Sequence, residues 1–203
     1  VRRTLDGAEA GLHELRRIER RGNLVLNRAS TLAAAHDKLV TARLLARAGL
    51  PHPRTLHVRE CERPPETDGP VVVKPRFGSW GTDVLRCDSG SDLRRMLRSL
   101  RRRAWFGRHG ALVQELVPGV DRDLRLIVAG GIVVGAIARE CRSDEWRTNV
   151  ALGASRCRVT PPAEACALAV GAAAAVRGDL VGVDLLPTEH GFTILEVNGC
   201  ADF

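Results

Sequence analysis

Two pairs of short apolar segments, each pair separated by a tight turn, constrain the fold of this chain more than any other feature. They are Leu124–Val128 and Ile132–Ala138 around Gly130-Gly131, and Leu180–Leu186 and Phe192–Val197 around Glu189–Gly191. Turns this short join antiparallel strands, because parallel neighbours need a long crossover connection. The predicted fold class is therefore α+β, with more antiparallel pairing than a doubly wound sheet contains.

The other predicted elements follow from the spacing of apolar residues and from turn residues. Helices are predicted for residues Val1–Arg21, for His36–Gly49 with Asp37 near its start, for a segment capped by Ser91 with an apolar face of Leu93, Met96, Leu97 and Leu100, and for Pro161–Val176. Strands are predicted for Asn23–Asn27, Thr55–Val58, Val71–Pro75 and Ala111–Val117, and a loop for Cys61–Gly69.

Composition narrows the classes of partner. A net charge of +7 is typical of nucleic-acid binders, but only 3% of residues are aromatic and tyrosine is absent, which argues against base stacking. The arginines between Arg94 and Arg102 form either a patch that binds polyanions or a solvated helix face.

No apolar run is long enough to cross a membrane, so no membrane partner is expected. The six cysteines lack disulfide or zinc spacing, which predicts reduced thiols and a cytoplasmic location.

Two lysines, Lys38 and Lys74, stand against 29 arginines. A site that needs a compact ammonium group resists replacement by a planar guanidinium, although two lysines in one chain also fit chance. Lys74 lies in the strand Val71–Pro75 and precedes a glycine loop, Phe77–Gly81. Backbone N–H groups and an ammonium group suit phosphate oxygens. The alternative is an ordinary surface hairpin.

Asp184, Glu196 and Asn198 form a second candidate site. Glu196 and Asn198 are two residues apart in one predicted strand, so their side chains share a face, and an antiparallel neighbour would bring Asp184 to them. Two carboxylates and an amide oxygen suit Mg²⁺. The alternative is a solvated polar strand side, but the apolar residues around these acids make an unpartnered charge unfavourable there.

Arginines and one strand end provide further candidates. Arg125 and Arg139 lie on or next to paired strands, and Arg147 begins the stretch Arg147–Asn149. Guanidinium groups bind carboxylates and phosphates through paired hydrogen bonds, although each arginine alone is weak evidence in so arginine-rich a chain. Val113–Val117 is either an ordinary sheet strand or one whose end binds an adenine edge.

Taken in order, seven groups of residues resemble the ATP-grasp fold and, within it, the RimK-like α-L-glutamate ligase and LysX-like group. They are Asp37–Leu39 with Leu44, Leu45 and Ala48–Thr55; Val72–Pro75 with Gly78–Gly81; Val113–Glu115; Asp123–Arg125; Arg139; Trp146–Asn149 with Gly153; and Gly182–Asp184 with Glu196–Asn198. The resemblance extends from about residue 23 to the end of the chain.

The resemblance implies an ATP-grasp fold in which two α+β subdomains grip ATP between them. Residues 1–35 are then a lead-in from a preceding domain that is largely absent, and residues 36–203 are the ATP-grasp domain with a truncated C-terminus. A smaller lid-like subdomain with the glycine loop is implied at about 54–117. Members of this group often form dimers or tetramers, and the sequence itself shows no interface.

The resemblance also implies roles for individual residues. Nucleotide contacts are implied for Lys38 and Lys74 at the phosphates; for the mobile loop Gly78, Ser79, Trp80 and Gly81; for the adenine hinge Glu115, Leu116 and Val117; for Asp123 at the ribose or another part of the nucleotide; and for Arg147, Thr148 and Asn149 near the phosphates. Asp184, Glu196 and Asn198 are implied as ligands of Mg²⁺, with Mn²⁺ as a substitute. Arg125, Arg139 and Arg147 are implied as catalytic residues, with Arg125 and Arg139 at the carboxylate substrate.

The implied activity is ATP-dependent ligation of a carboxylate to an amine. The carboxylate attacks the γ-phosphorus of ATP to give an acyl-phosphate and ADP, and the amine then displaces phosphate to give an amide. Positioning and electrostatic stabilisation dominate such a transfer. The implied substrates are glutamate or another amino acid, and a small-molecule or protein-terminal carboxylate acceptor. The alternative is an ATP-binding fragment or paralogue with impaired catalysis.

Overall fold

The computed structural model describes residues 9–143 and 145–200. The helices are α1 (Glu9–Arg20), α2 (Ala29–His36), α3 (Lys38–Arg47), α4 (Gly90–Leu100), α5 (Ala104–His109) and α6 (Ala163–Ala175), and a 3₁₀ turn spans Val150–Leu152. The strands are β1 (Thr55–Val58), β2 (Val71–Pro75), β3 (Leu85–Cys87), β4 (Ala111–Glu115), β5 (Arg122–Ala129), β6 (Ile132–Glu140), β7 (Ser155–Arg158), β8 (Leu180–Thr188) and β9 (Gly191–Asn198).

The strands form two antiparallel sheets, one in each of two compact units. The large unit comprises Val1–His52 and Val120–Phe203, and its sheet has the order β7-β6-β5-β8-β9. The small unit is Pro53–Gly119, and its sheet has the order β1-β4-β2-β3. Both predicted hairpins, β5–β6 and β8–β9, are present. The α+β class predicted from the short turns is therefore confirmed.

The sheet of the large unit buries one face under α6. The helix presents four buried alanines to the core, namely Ala165, Ala169, Ala172 and Ala173. Alanine has the highest helix propensity, and its small side chain lets a helix lie close to a sheet. Apolar residues of β5 and β8, such as Leu126 and Val183, point into the same core. Because side chains alternate along a strand, their neighbours Arg125 and Asp184 lie on the opposite face.

Helix α4 covers the sheet of the small unit with Leu93, Leu97 and Leu100. The prediction that Ser91 caps this helix is wrong. Ser89 is the N-cap residue, and its hydroxyl accepts a hydrogen bond at 3.1 Å from the backbone N–H of Asp92. An N-cap side chain bonds to the N–H two or three positions further on, and Ser91 already lies inside the first turn.

The strand predicted at Asn23–Asn27 is also wrong. This segment is irregular, and Asn27 holds it through its side chain. The Asn27 amide donates to the carbonyls of Leu180 at 2.5 Å and Gly199 at 2.8 Å. Its carbonyl oxygen accepts from the backbone N–H groups of Asp179 and Leu180, each at 2.8 Å. Side-chain bonds thus replace the ladder of backbone bonds that a strand would make.

The helix predicted for His36–Gly49 begins later and ends earlier. Asp37 separates α2 from α3, and one of its carboxylate oxygens caps α3 by accepting from the N–H groups of Leu39 at 3.1 Å and Val40 at 3.3 Å. Lys38 is therefore the first residue of a helix. The helix predicted for residues 1–21 is seen from Glu9, and residues 1–8 lie outside the described part. Within residues 9–143 and 145–200, no helix has the length and apolarity needed to cross a membrane.

Candidate functional site

The β8–β9 pair places three predicted site residues on one face of the large-unit sheet. Asp184 lies directly opposite Glu196, and Asn198 lies opposite Gly182, two positions further along the register. The amide nitrogen of Asn198 is 3.4 Å from a carboxylate oxygen of Asp184. The geometry predicted for this trio, in which an antiparallel neighbour brings Asp184 to Glu196 and Asn198, is therefore present.

Asp184 is buried against two guanidinium groups. Arg125, its cross-strand partner on β5, donates from Nε to Oδ1 at 2.7 Å and from Nη2 to Oδ2 at 2.8 Å. Arg139 on β6 lies 3.1 Å from the same carboxylate. Burial alone would raise the pKa of Asp184, but the charges of Arg139 and Arg125 and their hydrogen bonds lower it to about 2. Asp184 is therefore an ionised carboxylate inside the protein.

Asp123 forms the other end of this network. It is the cross-strand partner of Arg139, which donates to both of its carboxylate oxygens, in one case from Nε at 2.7 Å. The hydroxyl of Thr148 also donates to Asp123, at 2.6 Å. The side chain of Asp123 is 0% exposed. The implied contact of Asp123 with the ribose or another part of the nucleotide does not fit this arrangement, because its oxygens face protein donors and not the surface.

Lys38 extends the polar face from α3. Its ammonium group lies 3.2 Å from Oε1 of Glu196, and both side chains are partly exposed. Asp37 fixes the start of α3 and thereby places Lys38 beside the sheet. The large unit thus brings together Lys38, Asp123, Arg125, Arg139, Thr148, Asp184, Glu196 and Asn198.

The loop after β6 carries Arg147, Thr148 and Asn149. Arg147 folds back on Glu145, donating from Nε at 2.9 Å and from Nη2 at 2.7 Å. These hydrogen bonds lower the pKa of Glu145 to about 2. Thr148 points to the sheet, where it meets Asp123. The three neighbours therefore have different surroundings, although the resemblance assigns all of them to the phosphates.

Lys74 lies in β2 of the small unit and is almost fully buried. Its ammonium group donates to the side-chain oxygen of Gln114 at 2.7 Å, and the Gln114 amide donates to the hydroxyl of Thr55 at 2.8 Å. The sequence analysis assigned no role to Gln114 or Thr55. Gln114 is the one polar side chain among the buried positions Ala111–Gln114 of β4, and its partner Lys74 shows what it does.

The glycine loop after β2 has an unusual backbone. Gly78, Trp80 and Gly81 have φ values of 131°, 62° and 73°, in the region that favours glycine. Ser79 and Trp80 are exposed, and Trp80 presents 58% of its surface to solvent. The segment is a loop, as predicted, and it turns at each of its glycines.

The predicted adenine hinge Glu115, Leu116 and Val117 begins at the last residue of β4. The backbone N–H of Glu115 donates to the carbonyl of Arg54 at 2.9 Å, and that of Leu116 donates to the carbonyl of Pro70 at 3.1 Å. Neighbouring segments of the small unit therefore already accept the hydrogen bonds of these two N–H groups, and the assignment of this segment to the adenine stays a prediction.

Comparison with known proteins identifies the family. Residues 35–203 match the model of the RimK-like ATP-grasp domain. This chain belongs to that family. The RimK-like chain is 32% identical over 212 residues to the tetrahydromethanopterin:alpha-L-glutamate ligase of Methanosarcina acetivorans, with 91% of the chain and 65% of that protein covered. It is 33% identical to the alpha-aminoadipate–LysW ligase LysX of Sulfurisphaera tokodaii, with 88% and 64% covered.

A solved structure supports the same fold. The ATP-grasp ligase PsnB, in complex with a phosphomimetic variant of its minimal precursor, Mg and ADP, is 25% identical and has a TM-score of 0.68, with 93% of the RimK-like chain and 58% of PsnB covered. The RimK-like chain therefore spans less than two thirds of the length of each of these proteins.

The donor chemistry of the large-unit site fits the magnesium ion that the family implies. No group of three or more His, Cys, Asp and Glu residues suited to a metal occurs among residues 9–143 and 145–200, so the set needs the amide oxygen of Asn198. Glu196 and Asn198 are partly exposed and offer hard oxygen donors. Asp184 is buried and accepts hydrogen bonds from two arginines, so it could bind a cation only by exchanging one of these bonds.

Proposed function

We propose that this RimK-like protein is an ATP-dependent carboxylate–amine ligase that forms an amide through an acyl-phosphate. The observation that carries the proposal is the placement of Lys38, Arg125, Asp184, Glu196 and Asn198 on one face of the large-unit sheet. Such a set of cations and hard oxygen donors matches the needs of phosphoryl transfer, which depends on positioning and on neutralising charge. The names of its ligase relatives support the same reaction class.

In this proposal the nucleotide contacts implied by the resemblance are assigned to named side chains. Lys74 and the glycine loop Gly78–Gly81 bind phosphate oxygens, and Gln114 orients the Lys74 ammonium group through their 2.7 Å hydrogen bond. Lys38, Arg147 and Asn149 bind phosphates from the large unit. Glu196 and Asn198 would hold Mg²⁺, which when bound neutralises phosphate charge.

Arg125 is the arginine that we assign to the substrate carboxylate. Its side chain is 16% exposed, whereas that of Arg139 is 6% exposed. Arg139 is held between Asp123 and Asp184, so it acts within the protein and not on the substrate. This assignment separates the two arginines that the resemblance treats alike.

We propose an amino acid, with glutamate first among candidates, as the amine, and a small-molecule or protein-terminal carboxylate as the acceptor. The test is ADP release from the purified protein with ATP and Mg²⁺, across a panel of amino acids and carboxylates. ADP release is expected only when both an acid and an amine are present, together with formation of an amide detected by mass spectrometry.

Two variants with matched controls make the test specific. Glu196→Gln and Lys74→Ala are expected to abolish ADP release, whereas Glu189→Gln at the exposed β8–β9 turn and Arg98→Ala on the outer face of α4 are expected to leave it unchanged. Full turnover by Glu196→Gln would contradict the proposal. Nucleotide binding without amine-dependent ADP release would instead favour a nucleotide-binding protein with impaired catalysis. Such a protein would be consistent with the contacts of Arg125 and Arg139 to the Asp184 carboxylate, which leave it less available to a metal ion.

A further inference from the structure

The buried carboxylate of Asp123 connects two parts of the site that are distant in sequence. Its oxygens accept hydrogen bonds from Arg139 on β6 and from Thr148 in the loop that follows. Arg139 in turn faces Asp184 on β8. Asp123 itself is fully buried, so it reaches neither solvent nor a bound molecule.

A buried carboxylate is stable only with well-placed donors, and this requirement acts on its partners as well. Loss of either donor leaves Asp123 less well compensated, so the carboxylate favours the arrangement in which both are in place. For Arg139 the effect is orientation, because two parallel hydrogen bonds fix the plane of the guanidinium group. For Thr148 the effect is attachment, because its hydroxyl bond ties the Arg147–Asn149 loop to the sheet.

We infer that Asp123 is a positioning residue, which anchors the Arg147–Asn149 loop through Thr148 and aims Arg139 at Asp184. One consequence of this inference rests on the proposed function: the anchored loop holds Arg147 and Asn149 where they bind phosphates. It also changes the role of Thr148. The hydroxyl of Thr148 serves the anchor to Asp123, whereas the resemblance assigns this residue to the nucleotide.

The first experiment measures the anchor without any nucleotide. Limited trypsin digestion reports opening of the loop through cleavage after Arg142, which is exposed. Thr148→Val keeps the shape of the side chain but removes the hydroxyl, and one lost bond to a charged group predicts cleavage roughly ten- to one-hundredfold faster. Thr148→Ser keeps the hydroxyl and is expected to restore the wild-type rate. Cleavage after the exposed Arg59 of the small unit serves as the internal control.

A double-mutant cycle separates the anchor from independent roles of the two residues. If Thr148 acts through Asp123, the Asp123→Ala/Thr148→Val variant is cleaved after Arg142 no faster than Asp123→Ala alone. If the two substitutions instead multiplied their separate effects on the rate of cleavage after Arg142, the inference would be wrong. Equal cleavage of wild type and Thr148→Val would also contradict it, and this outcome remains informative even if Asp123→Ala fails to fold.

The second experiment measures binding of a non-hydrolysable ATP analogue with Mg²⁺ by calorimetry, well below the melting temperature. Thr148→Val is expected to raise Kd several-fold with Thr148→Ser unchanged, a difference that a purely stabilising role would not produce. If the wild type binds no nucleotide, the proposed function fails, and the digestion experiment alone decides the anchor. If the wild type binds and Thr148→Val binds equally well, the positioning role is wrong.

Discussion

The carboxylate of Asp184 keeps its charge in the interior because Arg125 and Arg139 both face it. Moving an ion out of water is unfavourable by several kcal/mol, and facing charges with good geometry offset this. The net contribution of these ion pairs to stability is small, but removing one partner is strongly destabilising because it leaves the other charge uncompensated. At this face of the sheet, stability and site chemistry depend on the same groups.

Removing the guanidinium group of Arg125 should therefore destabilise the protein. Arg125→Leu leaves Asp184 with one cationic partner, and the free energy of unfolding is expected to fall by about 2 to 3 kcal/mol. Urea unfolding measures the change. Arg98→Leu removes an exposed arginine of α4 and should shift stability by no more than about 0.5 kcal/mol. Equal losses in the two variants would contradict the account of Asp184.

Cys87 should be the least reactive thiol among those described. It is 1% exposed in β3, and burial raises the pKa of its thiol, as do the nearby carboxylates Asp92 and Asp88. The thiolate is the reacting species, so a raised pKa and burial both slow modification. In native protein, Ellman's reagent should modify the exposed Cys61 and Cys157 and leave Cys87 unmodified until urea unfolds the chain. If peptide mapping showed that Cys87 is labelled as fast as Cys61, the Cys87 thiol would not be buried in this way.

At the scale of elements, the start of α3 links a helix cap to the site. Asp37 caps the helix, and the next residue, Lys38, reaches Glu196. Shifting the sequence by one residue along the helix would rotate this ammonium group by about 100° around the helix axis. The cap therefore sets the position of a charged site residue as well as the stability of a helix.

Asp37→Ala should lower the free energy of unfolding by about 1 kcal/mol, the usual effect of losing an N-cap side chain. Asp37→Asn keeps an oxygen acceptor and should retain most of the stability. Thermal or urea unfolding of both variants tests the cap. The idea would be wrong if asparagine were as damaging as alanine.

The sequence predicted some elements well, for physical reasons that also explain the errors. The β8–β9 pair followed from a short turn, which fixes antiparallel pairing, and from the two-residue period of strands. The strand expected at Asn23–Asn27 failed because local pattern contains no information on whether a neighbouring strand edge exists. Asn27 instead bonds to backbone groups more than 150 residues away.

At the scale of the whole molecule, the site was predictable where residue types were rare or grouped. Lys38, Lys74 and the Asp184, Glu196 and Asn198 set stood out in this way. The burial of Asp123 could not be predicted, because it depends on Arg139 across the sheet and on Thr148, which is 25 residues away. Gln114 was missed because a lone polar residue in a strand gains meaning only when its partner, Lys74, is known.

Nucleotide should stabilise the folded protein as a whole, since a ligand that binds only the native state shifts the folding equilibrium. A non-hydrolysable ATP analogue with Mg²⁺ at 100 times its Kd should add about 2.7 kcal/mol to the free energy of unfolding. A melting-temperature shift detects this. Lys74→Ala should lose most of the shift, whereas Arg98→Ala should keep it. An undiminished shift in Lys74→Ala would remove Lys74 from the nucleotide site.

The backbone of Trp80 is left-handed, and its large apolar side chain is mostly in water. For a residue with a side chain, that conformation is disfavoured by about 1 to 2 kcal/mol relative to glycine. Trp80→Gly should therefore melt at a higher temperature than the natural chain. If the same variant also releases ADP more slowly, the indole ring lowers the stability of the protein but supports its activity. Selection of this protein for higher thermal stability would then tend to lower its activity.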